Sequence, residues 1–186
     1  MRPLQVRDTF LPEKKMNDKK LLYREISGLV FVLIAGTLLH FVYEWAGEST
    51  VAAIFSTVSE STWEHLKLLF FPMLVFTAAE QLICGGKDHP GSVTARAVGT
   101  LAGMAAIVVL FYVYTGIVGE NFLVADILTF VAGTVTAFVV SGMLIRRGAY
   151  KRDLPGLLIF TSVAALFALF TFSHPDIGLF RDPTAQ

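Results

Sequence analysis

Apolar residues in this chain gather in long uninterrupted blocks, and polar residues are confined to the connections between them. Five blocks stand out, at residues 26–45, 66–84, 93–114, 122–145 and 154–172. Each is close to the roughly 20 residues that a helix needs to cross a hydrocarbon core. The pattern predicts an all-α, polytopic membrane helix bundle with five transmembrane helices. A shorter pattern lies between the first two, where Val51, Ile54, Phe55 and Val58 recur at i, i+3, i+4 and i+7. That spacing predicts a short amphipathic helix in the membrane interface or against the mouth of the bundle.

Small residues and aromatic belts refine the helices. Gly28, Ala35 and Gly36 in the first block, Ala95, Gly99 and Gly103 in the third, and Gly133 and Ala137 in the fourth predict close helix–helix approach. Trp45, Tyr112 and Tyr114 suit the membrane boundary. Pro72 removes a backbone donor from the second helix, so a kink is expected there. Both Thr57-Val-Ser-Glu60 and Ser61-Thr-Trp-Glu64 fit a capping box at the start of that helix.

Composition supports the membrane class: 54% of residues are hydrophobic and 16% charged, an excess over soluble domains. The formal net charge of zero conceals a bias. Of the 15 basic residues, only Lys67 and Arg181 fall on one side of the expected topology. The others precede the first block, flank the second connection as Lys87 and Arg96, or fill the fourth connection from Arg146 to Arg152. The positive-inside rule then places the N-terminus in the cytoplasm and the C-terminus outside. The expected organisation is a flexible basic cytoplasmic tail (1–23), a five-helix transmembrane domain (24–173) and an extracytoplasmic cap (174–186). Met16 is an alternative start within that tail. No nucleic-acid role is implied by the Arg146–Arg152 group, and a homo-oligomer is left open. The single cysteine, Cys84, excludes an intrachain disulfide and reads as a small apolar filler.

Chemistry concentrates in residues 57–72, where Glu60, Glu64, His65 and Lys67 crowd the entrance to the second helix. Ionisable groups at a membrane boundary are functional-site candidates by default. Glu60, Glu64 and Lys67 are expected on one helical stripe, with Lys67 neutralising Glu64. His65, rotated by about 100°, is expected to face another helix, the first or the fifth. His40 and Glu44 share a face of the first helix. Glu60, Glu64, His65 and Lys67 are the catalytic candidates. His40, Glu44, Glu64 and His65, together with Glu60 and with His174 and Asp126 as outlying additions, are the candidate ligands for a divalent metal. Glu80 is expected to snorkel or to pair with a cytoplasmic Lys or Arg.

His40-Phe-x-Tyr-Glu-Trp45, Glu60-Ser-x-Trp-Glu-His-x-Lys-Leu68 with Phe71-Pro72, and Leu179-Phe-Arg-Asp-Pro183 together resemble an uncharacterised family of small bacterial multi-pass membrane proteins. Ser59 stands where that family often has Asn. The resemblance covers nearly the whole chain and implies a bacterial cytoplasmic membrane, but no activity. Three functions remain open: a structural lock, sensor or subunit; a transporter or channel component for a cation or proton-coupled solute; and a metal-dependent extracytoplasmic hydrolase.

Overall fold

The computed structural model describes residues 18–84 and 90–182. Cys84 closes a helix, but its side chain, like Lys87, lies outside the described residues. The described residues are all-helical: α1 (Asp18–Trp45), α2 (Thr50–Phe55), α3 (Thr62–Cys84), α4 (Ser92–Val118), α5 (Leu123–Arg146) and α6 (Leu154–Phe172), then a 3₁₀ turn at Gly178–Phe180. Five of these, all except α2, are long and apolar enough to cross a membrane. α1 begins at Asp18, so the last part of the basic segment ahead of the first apolar block is already helical.

The surface confirms what solvent this bundle is built for. Ile34 and Leu38 on α1, Val109 and Val113 on α4, and Leu157 and Leu158 on α6 all point outward and are exposed. Contiguous apolar exposure on this scale marks contact with something apolar, and helices whose backbone groups are paired internally satisfy the bilayer's demand. α3 is the central element: half of its apolar window is buried, against 17–22% for the other four. Leu69, Phe70 and Met73 of α3 pack with Val32, Phe138, Phe160 and Phe167 from α1, α5 and α6.

Small residues set the tightest contacts, as the sequence predicts. α4 and α5 form the most extensive helix pair. A methyl group added at Gly99 would stand 2.5 Å from the Ala137 carbonyl oxygen, and one at Gly103 would stand 2.6 Å from that of Gly133. Gly36 serves a different purpose. Pro72 sits inside a continuous α3 and cannot donate to the carbonyl four residues earlier, which belongs to Leu68. Gly36 of α1 lies directly against that Leu68 carbonyl oxygen, so close that any side chain there would collide with it. The carbonyl released by proline is therefore covered by the backbone of a neighbouring helix.

α2 forms the expected short helix and turns its alanines to the protein. Ser49 caps its start by accepting from the Ala52 amide. Ala52 and Ala53 are buried, whereas Val51 and Phe55 are exposed. The small residues fit the bundle, Val51 faces outward, and Phe55, though partly exposed, packs edge-on against Phe71 of α3. Buried Ser56 ties α2 to α1 by accepting from the Tyr43 amide and donating to the Leu39 carbonyl.

Candidate metal centre

The stretch from Thr57 to Lys67 divides its charges between two faces, because α3 starts at Thr62 and Glu60 lies in the connection before it. The single stripe expected for Glu60, Glu64 and Lys67 does not form. Glu64 and Lys67 turn inward, while Glu60 joins His65 and His40 at the mouth.

The inward pair is a lock. The Lys67 side chain is wholly buried and donates through Nζ to Glu64 Oε2 (2.7 Å), Thr171 Oγ1 (2.7 Å), the Ala53 carbonyl (2.8 Å) and the Ser56 carbonyl (3.3 Å). An ammonium has three hydrogens, so these four acceptors saturate it. Two of them lie at the end of α2, whose last carbonyls lack helical partners. Lys67 thus joins α2, α3 and α6 at one point. Glu64 Oε2 also accepts from the Val58 amide (3.1 Å). Only half of the second capping box is realised: Ser61 Oγ accepts from the Glu64 amide, but the Glu64 carboxylate is diverted to Lys67 and Val58. Nor does Thr57 cap; its hydroxyl contacts His40 instead.

The outward group has the geometry of a ligand set. One ligand atom each from His40, Glu60 and His65 lie within 4.8 Å of one another, the one such group of three among the described residues. His65 Nε2 is 3.3 Å from Glu60 Oε2, and His40 Nε2 is 3.9 Å from Glu60 Oε1. The two imidazoles stand with ring centroids 5.4 Å apart. His65 faces the first span, one of the two neighbours expected for it.

The far nitrogen of each ring is already engaged. His65 Nδ1 is 3.0 Å from the Ser61 carbonyl oxygen; a carbonyl only accepts, so Nδ1 carries the hydrogen. His40 Nδ1 is 3.2 Å from Thr57 Oγ1, and that hydroxyl donates to the His40 carbonyl at 3.3 Å. When the hydroxyl hydrogen goes to that carbonyl, the hydroxyl accepts from Nδ1. Both rings therefore turn Nε2 toward Glu60, the arrangement by which outer partners orient histidine ligands. Adjacent ligands about 2 Å from a tetrahedral ion stand about 3.3 Å apart. The His65–Glu60 spacing meets that, while the three ligand atoms taken together lie within 4.8 Å of one another, so His40 has to close in for all three to meet one ion. Glu60 is half-exposed, and the hydrogen bond that His65 Nε2 donates when the ring is an imidazolium holds its carboxyl below the usual carboxylate range; a bound cation would take the place of that Nε2 proton. The Glu60 amide donates to Asp182 Oδ2 at 3.1 Å, which anchors the loop to the C-terminal segment.

Beside the group opens a cleft with about 60 Å³ of free volume, room for several waters at about 10–15 Å³ each. Leu68, Ile107, Phe111 and Phe130 form its apolar walls, and Glu60, Thr62, His65, Asn121, Asp126 and Thr129 its polar positions. Asp126 belongs to this cleft rather than to the ligand group. Its carboxylate accepts from the Tyr114 hydroxyl, and its negative charge acts on His65.

The remaining candidates lie elsewhere. Glu44 is exposed, one turn beyond His40. His174 is exposed and stacks on Phe180. The C-terminal segment does fold back over this mouth: Phe180 packs on Trp63 and Phe170, while Asp176 pairs with Arg181 on the surface. Glu60 meets the two histidines from the connection ahead of the helix that carries His65, a meeting that helical spacing does not give.

These features define a class: an all-helical protein with five helices fit to span a membrane and a His–Glu–His group at the mouth of the bundle. The chain matches over residues 12–186 the model of a family of unknown function, DUF6512, and belongs to that family. No curated protein and no solved structure matches it.

Proposed function

We propose that the chain is a membrane-embedded, divalent-metal-dependent hydrolase, with His40, Glu60 and His65 as the ligands. The observation that carries this reading is the convergence of three ligand atoms from three separate segments, with both imidazoles already oriented by Ser61 and Thr57. Two histidines and one glutamate are a donor set used for catalytic zinc, which keeps a further position for water or substrate. The ion would supply Lewis acidity and a nucleophile at neutral pH. Asp126, lining the same cleft, is the carboxylate placed to take up a proton, and Tyr114 holds it. The apolar walls favour an ester or amide bond in a substrate with an apolar chain, entering from the bilayer. The bias of basic residues supports placing this mouth on the extracytoplasmic face. The lock is narrowed to Glu64 and Lys67, which serve stability rather than chemistry.

Metal analysis of the detergent-purified protein after incubation with Zn²⁺ and desalting tests the reading. The expected result is about one ion per chain in the wild type, lost in Glu60→Gln and His65→Ala and retained in Glu44→Gln. An absence of bound metal under replete conditions would leave Glu60 and His65 as an ion pair and end the proposal. Metal without chelator-sensitive hydrolysis of a chain-length series of aryl esters and anilides would remove the hydrolase and keep the metal centre.

A further inference from the structure

The other end of the bundle holds a second charged group, built around an arginine that the loop count of basic residues takes for a flanking cation. Arg96 is not in a loop. It lies in the second turn of α4, fully buried, with its guanidinium 5.4 Å from the ring centroids of both Phe76 and Phe138. Glu80 of α3 meets it with both oxygens, at 3.0 Å from Nε and 3.2 Å from one terminal nitrogen. The other terminal nitrogen donates to Ser141 Oγ of α5 (2.8 Å) and to Glu25 Oε2 of α1 (2.9 Å). Four helices thus contribute to one buried group.

Its charges do not balance. Two carboxylates share one hydrogen-bonded guanidinium, so with both ionised the hydrogen-bonded group carries a net negative charge, which Arg146 along the groove offsets only through space. Such an excess is costly away from water. The two carboxylates are not equivalent. Glu80 has both oxygens engaged by Arg96, whereas Glu25 Oε1 is buried with no hydrogen-bond partner among the described residues. Glu25 also borders a groove of about 270 Å³ between α1 and α5, lined by Leu22, Ile26, Leu29, Val139 and Met143 and closed by Arg146. The charged groups acting on Glu25 from the helices around it are Glu80 of α3, Arg96 of α4 and Arg146 of α5.

We propose that Glu25 is a proton-binding site: it holds a proton on Oε1 beside the Arg96–Glu80 ion pair and exchanges it through the groove between α1 and α5. Protonation brings the group to neutrality and replaces a bare anionic oxygen by a carboxylic acid. It leaves every hydrogen bond of Arg96 in place, since Oε2 continues to accept. This site is independent of the metal centre at the opposite mouth.

Dicyclohexylcarbodiimide tests it, because this apolar reagent adds a protonated carboxyl across its C=N bond. The carboxyl proton passes to nitrogen, and the O-acylisourea rearranges to a stable N-acylurea. The full-length protein in liposomes, labelled and mapped by peptide mass spectrometry, should carry one adduct at Glu25 and none at Glu80. Labelling should fall at least tenfold as pH is raised toward alkaline values, and Glu25→Gln should abolish it. Glu25→Gln should also leave the thermal midpoint unchanged, since the amide resembles the neutral acid. In Glu80→Gln, Glu25 becomes the sole counterion of Arg96 and should ionise and lose its adduct. No adduct at Glu25 across the pH range, equal labelling of Glu80, or a large fall in thermal midpoint for Glu25→Gln would each overturn the proposal.

Discussion

Lys67 and Glu64, catalytic candidates in the sequence, are hydrogen-bonded to each other inside the bundle. Both charges lie within one buried network, so the environment that removes them from solvent also removes them from substrate. Taking away one member leaves the other buried and unpaired, at a cost of about 3–5 kcal/mol. Lys67→Met is expected to lower stability by that order in thermal unfolding in detergent. Lys67→Met with Glu64→Gln should recover a large part of it, because no charge is then stranded. A double variant less stable than the single one would show that the hydrogen bonds to α2 and Thr171, rather than charge pairing, carry the lock. His65 has the opposite character. Capping does not explain it, and its ring contacts Glu60 and His40 rather than the Glu64 beside it in sequence.

At the level of the helices, Pro72 and Gly36 form a pair across α3 and α1. Proline leaves the Leu68 carbonyl without a helical donor, and glycine permits a backbone to approach it, a contact of the Cα–H···O type worth a fraction of a kcal/mol. Gly36→Ala should destabilise the bundle by about 1–3 kcal/mol, the usual range for overpacking. It should cost more than Gly116→Ala, a position with open space around it. Equal thermal midpoints for the two variants would mean that α1 shifts freely. The same α1–α3 contact holds the register between His40 and His65, so Gly36→Ala should also weaken metal binding without touching a ligand.

Across the whole molecule, the metal-ligand group and the Glu25–Arg96–Glu80 group sit at opposite ends of one bundle, both hung on α3. The bias of basic residues predicts their orientation, and labelling of intact cells tests it. Cys84 is the lone cysteine, so a Cys84→Ser background accepts new reporters. A cysteine introduced by Glu48→Cys, in the exposed turn before α2, should react with a membrane-impermeant maleimide added outside. One introduced by Lys151→Cys, in the connection between α5 and α6, should react only after the membrane is opened. The reverse pattern would put the candidate metal centre on the inner face and remove the extracytoplasmic hydrolase.

Much of this architecture was written in local pattern. Membrane spans are legible because a bilayer demands about 20 apolar residues in a row, a one-dimensional requirement, and the small residues of α4 and α5 announce their contact for a similar reason. Glu64 with Lys67 was legible too, being three apart on one helix. The Glu60–His65–His40 group was not, because it depends on where α3 begins and on which face of α1 meets it. Arg96 carried a signal in its place within the third apolar block, but its partners Glu25 and Glu80 come from other helices. The sequence by itself determined the class, the spans and the residues that carry charge. Only the tertiary structure decided which of those charges are spent on holding helices together and which are left facing a cleft, because that division depends on distances between segments far apart along the chain.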